Sequence, residues 1–186
     1  MEFILASKSP RRKELMARIV PSFQIEVESI DEDKSYKLGP VEAVHDISYR
    51  KGINIAQKHK DSIVISADTI VVLNNEIIGK PKDEADAVEI LNKLSGKMHQ
   101  VITGYSIFYK GNVHTNHVIT DVLFEKLSNE LIMQYVSSKS PLDKAGAYGV
   151  QDNNKFHIIK KITGSYDNVV GFPVDEIKND ISRLLK

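Results

Sequence analysis

The chain contains no cysteine and no tryptophan, and its 25 basic residues equal its 25 acidic ones. Without cysteine there is no disulfide framework, no thiolate zinc site and no cysteine nucleophile, so any metal must be held by oxygen or histidine. A formal charge of zero removes the broad positive field that long nucleic acids require, although a local cluster can still hold a small anion. Apolar runs are short. None approaches the roughly 18 residues of a membrane span, and the start, with Glu2 and a brief apolar run, does not read as a signal peptide. The expectation is a soluble, cytoplasmic protein, with its 186 residues forming one α/β domain over 1–186.

Runs of β-branched and aromatic residues predict strands near 2–6, 23–28, 62–67, 69–73, 76–78, 99–109, 113–125 and 155–162. Helices are expected at 10–19, 40–59, 83–95, 128–138 and 173–185, with starts marked by Pro10, Pro40, Asp83, Ser128 and Pro173. Asn74-Asn75 and Lys110-Gly111-Asn112 are tight-turn signals, so the strands beside them should return as hairpins and the sheet must be mixed. The long hairpin with its following helix suggests one lobe and the chain ends another, with a ligand cleft between them.

The segment Phe3-Ile4-Leu5-Ala6-Ser7-Lys8-Ser9-Pro10-Arg11-Arg12 reads as a short strand turning through two hydroxyls into a helix. Ser9 suits the N-cap and Pro10 the first helical position. Arg11 and Arg12 then fall in the first turn, where free N–H groups already carry partial positive charge. A phosphate would satisfy the N–H groups, the Ser7 and Ser9 hydroxyls and the guanidinium forks together. The competing account is an ordinary capped helix whose arginines reach solvent or a carboxylate such as Glu14.

Asp68 interrupts the apolar run Ile63–Leu73, which otherwise has the composition of a buried strand. A carboxylate there needs hydrogen bonds, a cation or a metal, which suits a metal ligand, a general base or a structural turn cap. In Gly79-Lys80-Pro81 the proline biases Lys80 toward an extended backbone from which its ammonium can project toward a phosphate. Asp143-Lys144-Ala145-Gly146-Ala147-Tyr148-Gly149-Val150-Gln151 combines close-approach glycines with an amide able to donate and accept, and reads equally as a tight turn over a buried Tyr148. The segment Gly164–Pro173 has a similar look and leads into the last helix. Asp31, Asp33, Ser35 and Glu42 match part of a calcium loop, but Tyr36 stands where glycine is needed. Ser95-Gly96-Lys97 lacks the rest of a P-loop, and His114 and His117 should face opposite sides of a strand.

These five blocks, Ser7–Arg12, Ala67-Asp68-Thr69, Gly79-Lys80-Pro81, Asp143–Gln151 and Gly164–Pro173, resemble the Maf family of nucleotide pyrophosphatases in order and spacing over nearly the whole chain. The resemblance implies an elongated mixed β-sheet with flanking helices and two lobes around a cleft, similar to inosine-triphosphate pyrophosphatases, usually as a homodimer. It implies divalent-metal-dependent hydrolysis of nucleoside triphosphates to monophosphate and pyrophosphate, with magnesium, manganese or cobalt as the metal. It also implies a link to arrest of cell division. On this basis Asp68 is the proton acceptor, and Ser7, Ser9, Arg11, Arg12, Lys80 and Lys51 surround the phosphates. Glu32 shares the metal with Asp68. Arg12, Thr69 and Gln151 stand where the dTTP/UTP branch carries its specificity residues. The chain departs from the common pattern at Ser66 (often Gly), Gly52 (often Ala) and Phe172 (usually Leu). Ser66 is expected to narrow the approach beside Asp68, and Gly52 to weaken its helix by about 1 kcal/mol without touching chemistry. The rival reading is a nucleotide-sensing protein that regulates septum formation by contacts, without significant turnover.

Overall fold

In the computed structural model, which describes residues 1–185, one seven-stranded mixed sheet organises the chain. Its strands are β1 (Phe3–Leu5), β2 (Gln24–Ile25), β3 (Ile63–Leu73), β4 (Glu76–Ile78), β5 (Met98–Tyr109), β6 (Asn112–Phe124) and β7 (Ile159–Thr163). The helices are α1 (Pro10–Ala17), α2 (Pro40–Lys58), α3 (Glu84–Leu94), α4 (Asn129–Ser137), α5 (Asn153–Phe156), α6 (Tyr166–Val170) and α7 (Val174–Leu184). The spatial order is β2-β1-β3-β5-β6-β7, with β4 on the β1 side of β3. Among the described residues no helix is long and apolar enough to cross a membrane.

The strands expected at 62–67 and 69–73 are one strand, because Asp68 keeps its place in the ladder opposite Gly104 instead of breaking it. Both hairpins form where expected. Asn74 and Asn75 have φ of 51° and 66°, and Lys110 and Gly111 have φ of 49° and 81°, the left-handed conformations a tight hairpin needs. The expected strand 155–162 begins instead as α5; His157, at φ 50°, reverses the chain before β7 starts at Ile159. A further short helix, α6, occupies 166–170, where Ser165 caps it through the Asn168 N–H and Gly171 ends it at φ 115°. The second strand shrinks to Gln24–Ile25, both exposed at the sheet edge.

Two apolar clusters stand on either side of the middle of β3. One gathers Leu5, Leu15, Met16, Ile65, Ala67, Tyr105, Phe172, Ile177 and Ile181 around α1 and α7. The other gathers Leu73, Ile78, Leu91, Val122, Phe124, Ile132, Tyr135 and Tyr148 around α3 and α4. Phe172, the departure from the usual Leu, is fully buried in the first cluster. As expected, His114 and His117 face apart: His114 Nε2 lies 2.9 Å from Asp180 of α7, and His117 Nδ1 lies 3.0 Å from His45 of α2.

β1 pairs with β3 at 63–65 and β4 pairs with it at 71–73, so the intervening residues have a strand neighbour only on the β5 side. This gap between β1 and β4 lets Asp68 and Thr69, which point to opposite faces of the strand, reach the same cleft.

Candidate functional site

The cleft runs past the gap in two adjoining parts. One is lined by Ser7, Lys8, Ser9, Arg11, Arg12 and, across it, Glu32. The other is lined by Thr69, Val71, Val101, Tyr148, Gln151 and Val170. Ser9, Arg11, Arg12, Lys51, Lys80 and Asp143 border both. The first part is cationic and rich in hydroxyls; the second has apolar walls with one exposed amide, Gln151.

The loop into α1 forms as its residues dictate. Ser9 caps the helix by accepting the Arg12 N–H at 3.4 Å, and Pro10 occupies the first turn. Ser7 Oγ accepts from the Ser9 N–H at 3.3 Å and from Arg12 Nη1 at 3.4 Å, so its own proton is available to an anion. Arg11 turns to Asp143 at 3.4 Å, not to Glu14. Arg12 lies deeper. Its Nε donates to the Gly171 carbonyl at 2.9 Å and its Nη2 to Thr69 Oγ1 at 3.0 Å. Burial lowers the Arg12 pKa, opposed by Asp68 and reinforced by Arg11.

Lys51 joins the two acids of the site: its Nζ lies 2.6 Å from Asp68 Oδ1 and 2.7 Å from Glu32 Oε1. Glycines bring α2 close enough for this. A Cβ on Gly104, the residue opposite Asp68, would lie 2.6 Å from the Val44 carbonyl oxygen, so α2 rests directly on β5. Lys51 follows Val44 two turns later on the same helical face. Burial would raise the Glu32 pKa, but the Lys51 hydrogen bond and charge, the Tyr36 hydroxyl and Lys80 outweigh it and hold the carboxyl below its usual range. Tyr36, the residue that spoils the calcium-loop pattern, donates to Glu32 Oε2 at 3.2 Å. Asp68 is 5 % exposed, and its Oδ2 is buried with no hydrogen-bond partner. An unpartnered buried carboxylate oxygen is costly, so this atom is a reasoned place for a cation or a bound water.

The glycine-rich loop forms the tight turn over a buried Tyr148 and also places Gln151 at the cleft. Tyr148 is buried, 2.8 Å from His99 Nε2, while Gly146, at φ 70°, packs on Val71, and a short 3₁₀ turn (Val150–Asp152) presents Gln151 outward. Lys80, exposed on its extended segment, borders the same cleft.

All the residues expected at the site therefore line one cleft. The sequence reading missed Tyr36 and Asp143 as partners of Glu32 and Arg11, the Gly171 carbonyl, and the valines of the apolar wall. Only Val71 carried a local signal, since it shares a strand face with Thr69.

The family model described as Maf-like protein matches residues 2–184. A dTTP/UTP pyrophosphatase of Thermosipho africanus is 45% identical over 177 residues, covering 95% of this chain and 90% of the relative. One of Clostridium botulinum is 43% identical over 182 residues, covering 96% of each. Among solved structures, the Ham1 protein of Staphylococcus aureus matches with a TM-score of 0.59 at 14% identity, covering 99% of this chain and 100% of that one. The Ham1 protein of Coxiella burnetii matches at 0.53 and 12% identity, covering 98% and 99%. At that identity the likeness is one of fold.

Proposed function

The chain belongs to the Maf-like protein family, and from that premise and the geometry of the cleft we propose that it is a pyrophosphatase converting dTTP and UTP to monophosphate and pyrophosphate. The observation that carries this reading is Asp68. A buried carboxylate with an unpartnered Oδ2 faces the cations of the phosphate end and stands beside the apolar end suited to a nucleoside. A sensor that only bound triphosphate would gain nothing from a carboxylate opposing its anionic ligand.

In this reading the first turn of α1 with Ser7, Ser9, Arg11, Arg12 and Lys80 holds the triphosphate. Asp68 orients a water and accepts its proton as the water oxygen bonds to the α-phosphorus. The bond from that phosphorus to the bridging oxygen breaks, and pyrophosphate leaves into the field of the arginines and Lys80. Asp68 and Glu32 are hard oxygen donors that fit a divalent cation such as magnesium, manganese or cobalt. When bound, such an ion supplies Lewis-acid polarisation of a phosphoryl oxygen. Among the described residues no group of three His, Cys, Asp or Glu side chains could hold a metal. Magnesium's habit of taking one or two carboxylates, with phosphates and waters completing the shell, matches that sparse donor set. The reading places the enzyme in the cytoplasm as a homodimer; sedimentation at equilibrium checks the mass.

The deciding experiment incubates the pure protein with nucleoside triphosphates and magnesium in ¹⁸O-labelled water. Label in the monophosphate and pyrophosphate released in one piece support the assignment. Stepwise orthophosphate release would make it a phosphatase, and tight binding without turnover would favour the sensor.

A further inference from the structure

Behind the guanidinium of Arg12 lies a line of hydroxyls that no direct contact with a nucleotide requires. Thr69 Oγ1, which accepts from Arg12 Nη2 at 3.0 Å, lies 2.9 Å from Thr103 Oγ1 on the neighbouring strand, its register partner. Thr103 Oγ1 in turn donates to the Asn168 carbonyl in α6 at 3.0 Å. Counting protons fixes the direction of the line. Each hydroxyl has one proton. The proton of Thr103 is committed to Asn168, so the bond between the threonines uses the proton of Thr69. The alternative acceptor for Thr69, the Gly171 carbonyl, is 3.5 Å away and already takes the Arg12 Nε–H at 2.9 Å. Thr69 therefore has no proton left for a base carbonyl.

The far end of the line is anchored. Thr103 is fully buried. The Asn168 side-chain amide donates to the Val101 carbonyl at 3.0 Å and to Thr120 Oγ1 at 2.9 Å, tying α6 to β5 and β6. The end of α6 also closes on the line: the Gly171 carbonyl accepts from Arg12 Nε, and a Cβ on Gly171 would lie 3.1 Å from Thr69 Oγ1.

We propose that Thr103 is a positioning residue which, through Thr69, fixes the plane of the Arg12 guanidinium at the junction of the two parts of the cleft. Thr69 consequently acts on nucleotide binding through Arg12 and not by hydrogen-bonding the base. This deepens the proposed pyrophosphatase reading and rests on it. Loss of the line loosens the grip on every nucleoside triphosphate by the same factor, whatever its base, and leaves the chemical step nearly untouched.

The test replaces Thr103→Val, which keeps shape and removes the hydroxyl, and Thr103→Ser, which keeps the hydroxyl. Binding of the non-hydrolysable analogues α,β-imido-dUTP and α,β-imido-dCTP with magnesium is measured by calorimetry, alongside KM and kcat for dTTP. Thr103→Val is expected to raise both Kd values and the KM by about fivefold or more, the size of a coupling near 1 kcal/mol, with kcat changed by less than about threefold. Thr103→Ser should restore binding. In an Arg12→Lys background Thr103→Val should add nothing further, because the group it positions is gone. A Thr103→Val protein with a lowered Tm but unchanged Kd, an effect additive with Arg12→Lys, or a loss confined to the uracil analogue would each overturn the proposal while leaving the pyrophosphatase reading standing. A wild-type protein that binds neither analogue would overturn that reading itself, and the inference with it.

Discussion

Gly52 of α2 and Ser66 of β3 share one space: a Cβ on Gly52 would lie 2.7 Å from Ser66 Oγ and 2.4 Å from Phe108 Cε2. Two of the three departures from the common Maf pattern thus meet in one space, with bulk added on the strand and removed from the helix. Ser66 Oγ donates to the Ser48 carbonyl of α2 at 2.6 Å, one turn before Lys51. Ser66 therefore fastens the helix that carries Lys51; fully buried and outside the cleft lining, it does not narrow the approach to Asp68 as expected.

Gly52→Ala should destabilise the protein by about 1–3 kcal/mol through overpacking, even though alanine is the better helix former by about 1 kcal/mol. Adding Ser66→Gly should return part of that loss. Urea unfolding of the two single variants and the double variant measures the coupling, and additive effects would show that the two sites are independent.

Asp68→Asn should keep the fold and lower turnover of dTTP by about 10²–10⁴-fold, the usual size for a missing general base. Circular dichroism checks the first half and a pyrophosphate assay the second. Hydrolysis within a few-fold of wild type would make Asp68 a structural residue.

Lys51 pairs with Asp68 and Glu32 together, so Lys51→Met leaves two carboxylates facing one cleft without their shared cation. Magnesium should then raise Tm by more in the variant than in wild type, because a bound ion stabilises in proportion to its preference for the folded state. Equal shifts in both proteins would mean that the acids do not hold the ion.

His99 is 2 % exposed, and burial pushes its pKa down to about 4 from an ordinary 6.5. Between those values the unfolded chain takes up a proton that the folded protein refuses, so stability falls as pH drops through this window. The contribution is on the order of 3 kcal/mol. Denaturation midpoints measured from pH 7 to 4 should show the decline, and His99→Gln should flatten its slope whatever it does to absolute stability.

Gln151 is expected to be the base-reading side chain. Its amide can meet one donor and one acceptor of a thymine or uracil edge. Gln151→Glu should lower kcat/KM for dTTP by about tenfold or more, equal to 1.4 kcal/mol, and cost less for a guanine nucleotide whose N–H donors suit a carboxylate. Equal losses for all bases would place Gln151 outside base recognition.

The sequence alone determined the features whose physics is local. Ser9-Pro10 sets a helix start, paired asparagines set a hairpin, and an acid in an apolar run marks itself as needing a partner. It misread the places where distant partners override local preference. Asp68 stays in a continuous strand because β5 supplies the ladder opposite Gly104; the residues before Ile159 form α5 instead of a strand, with Asn153 Oδ1 accepting the Ile159 N–H at 2.7 Å across the turn at His157. Tertiary structure decided what lies across the cleft. The gap between β1 and β4 lets two opposite faces of β3 open into one site. The Lys51 bridge and the line from Arg12 to Asn168 join residues far apart in the chain. Sequence spacing cannot encode such contacts directly, because they arise only when the sheet brings separate elements within hydrogen-bond distance.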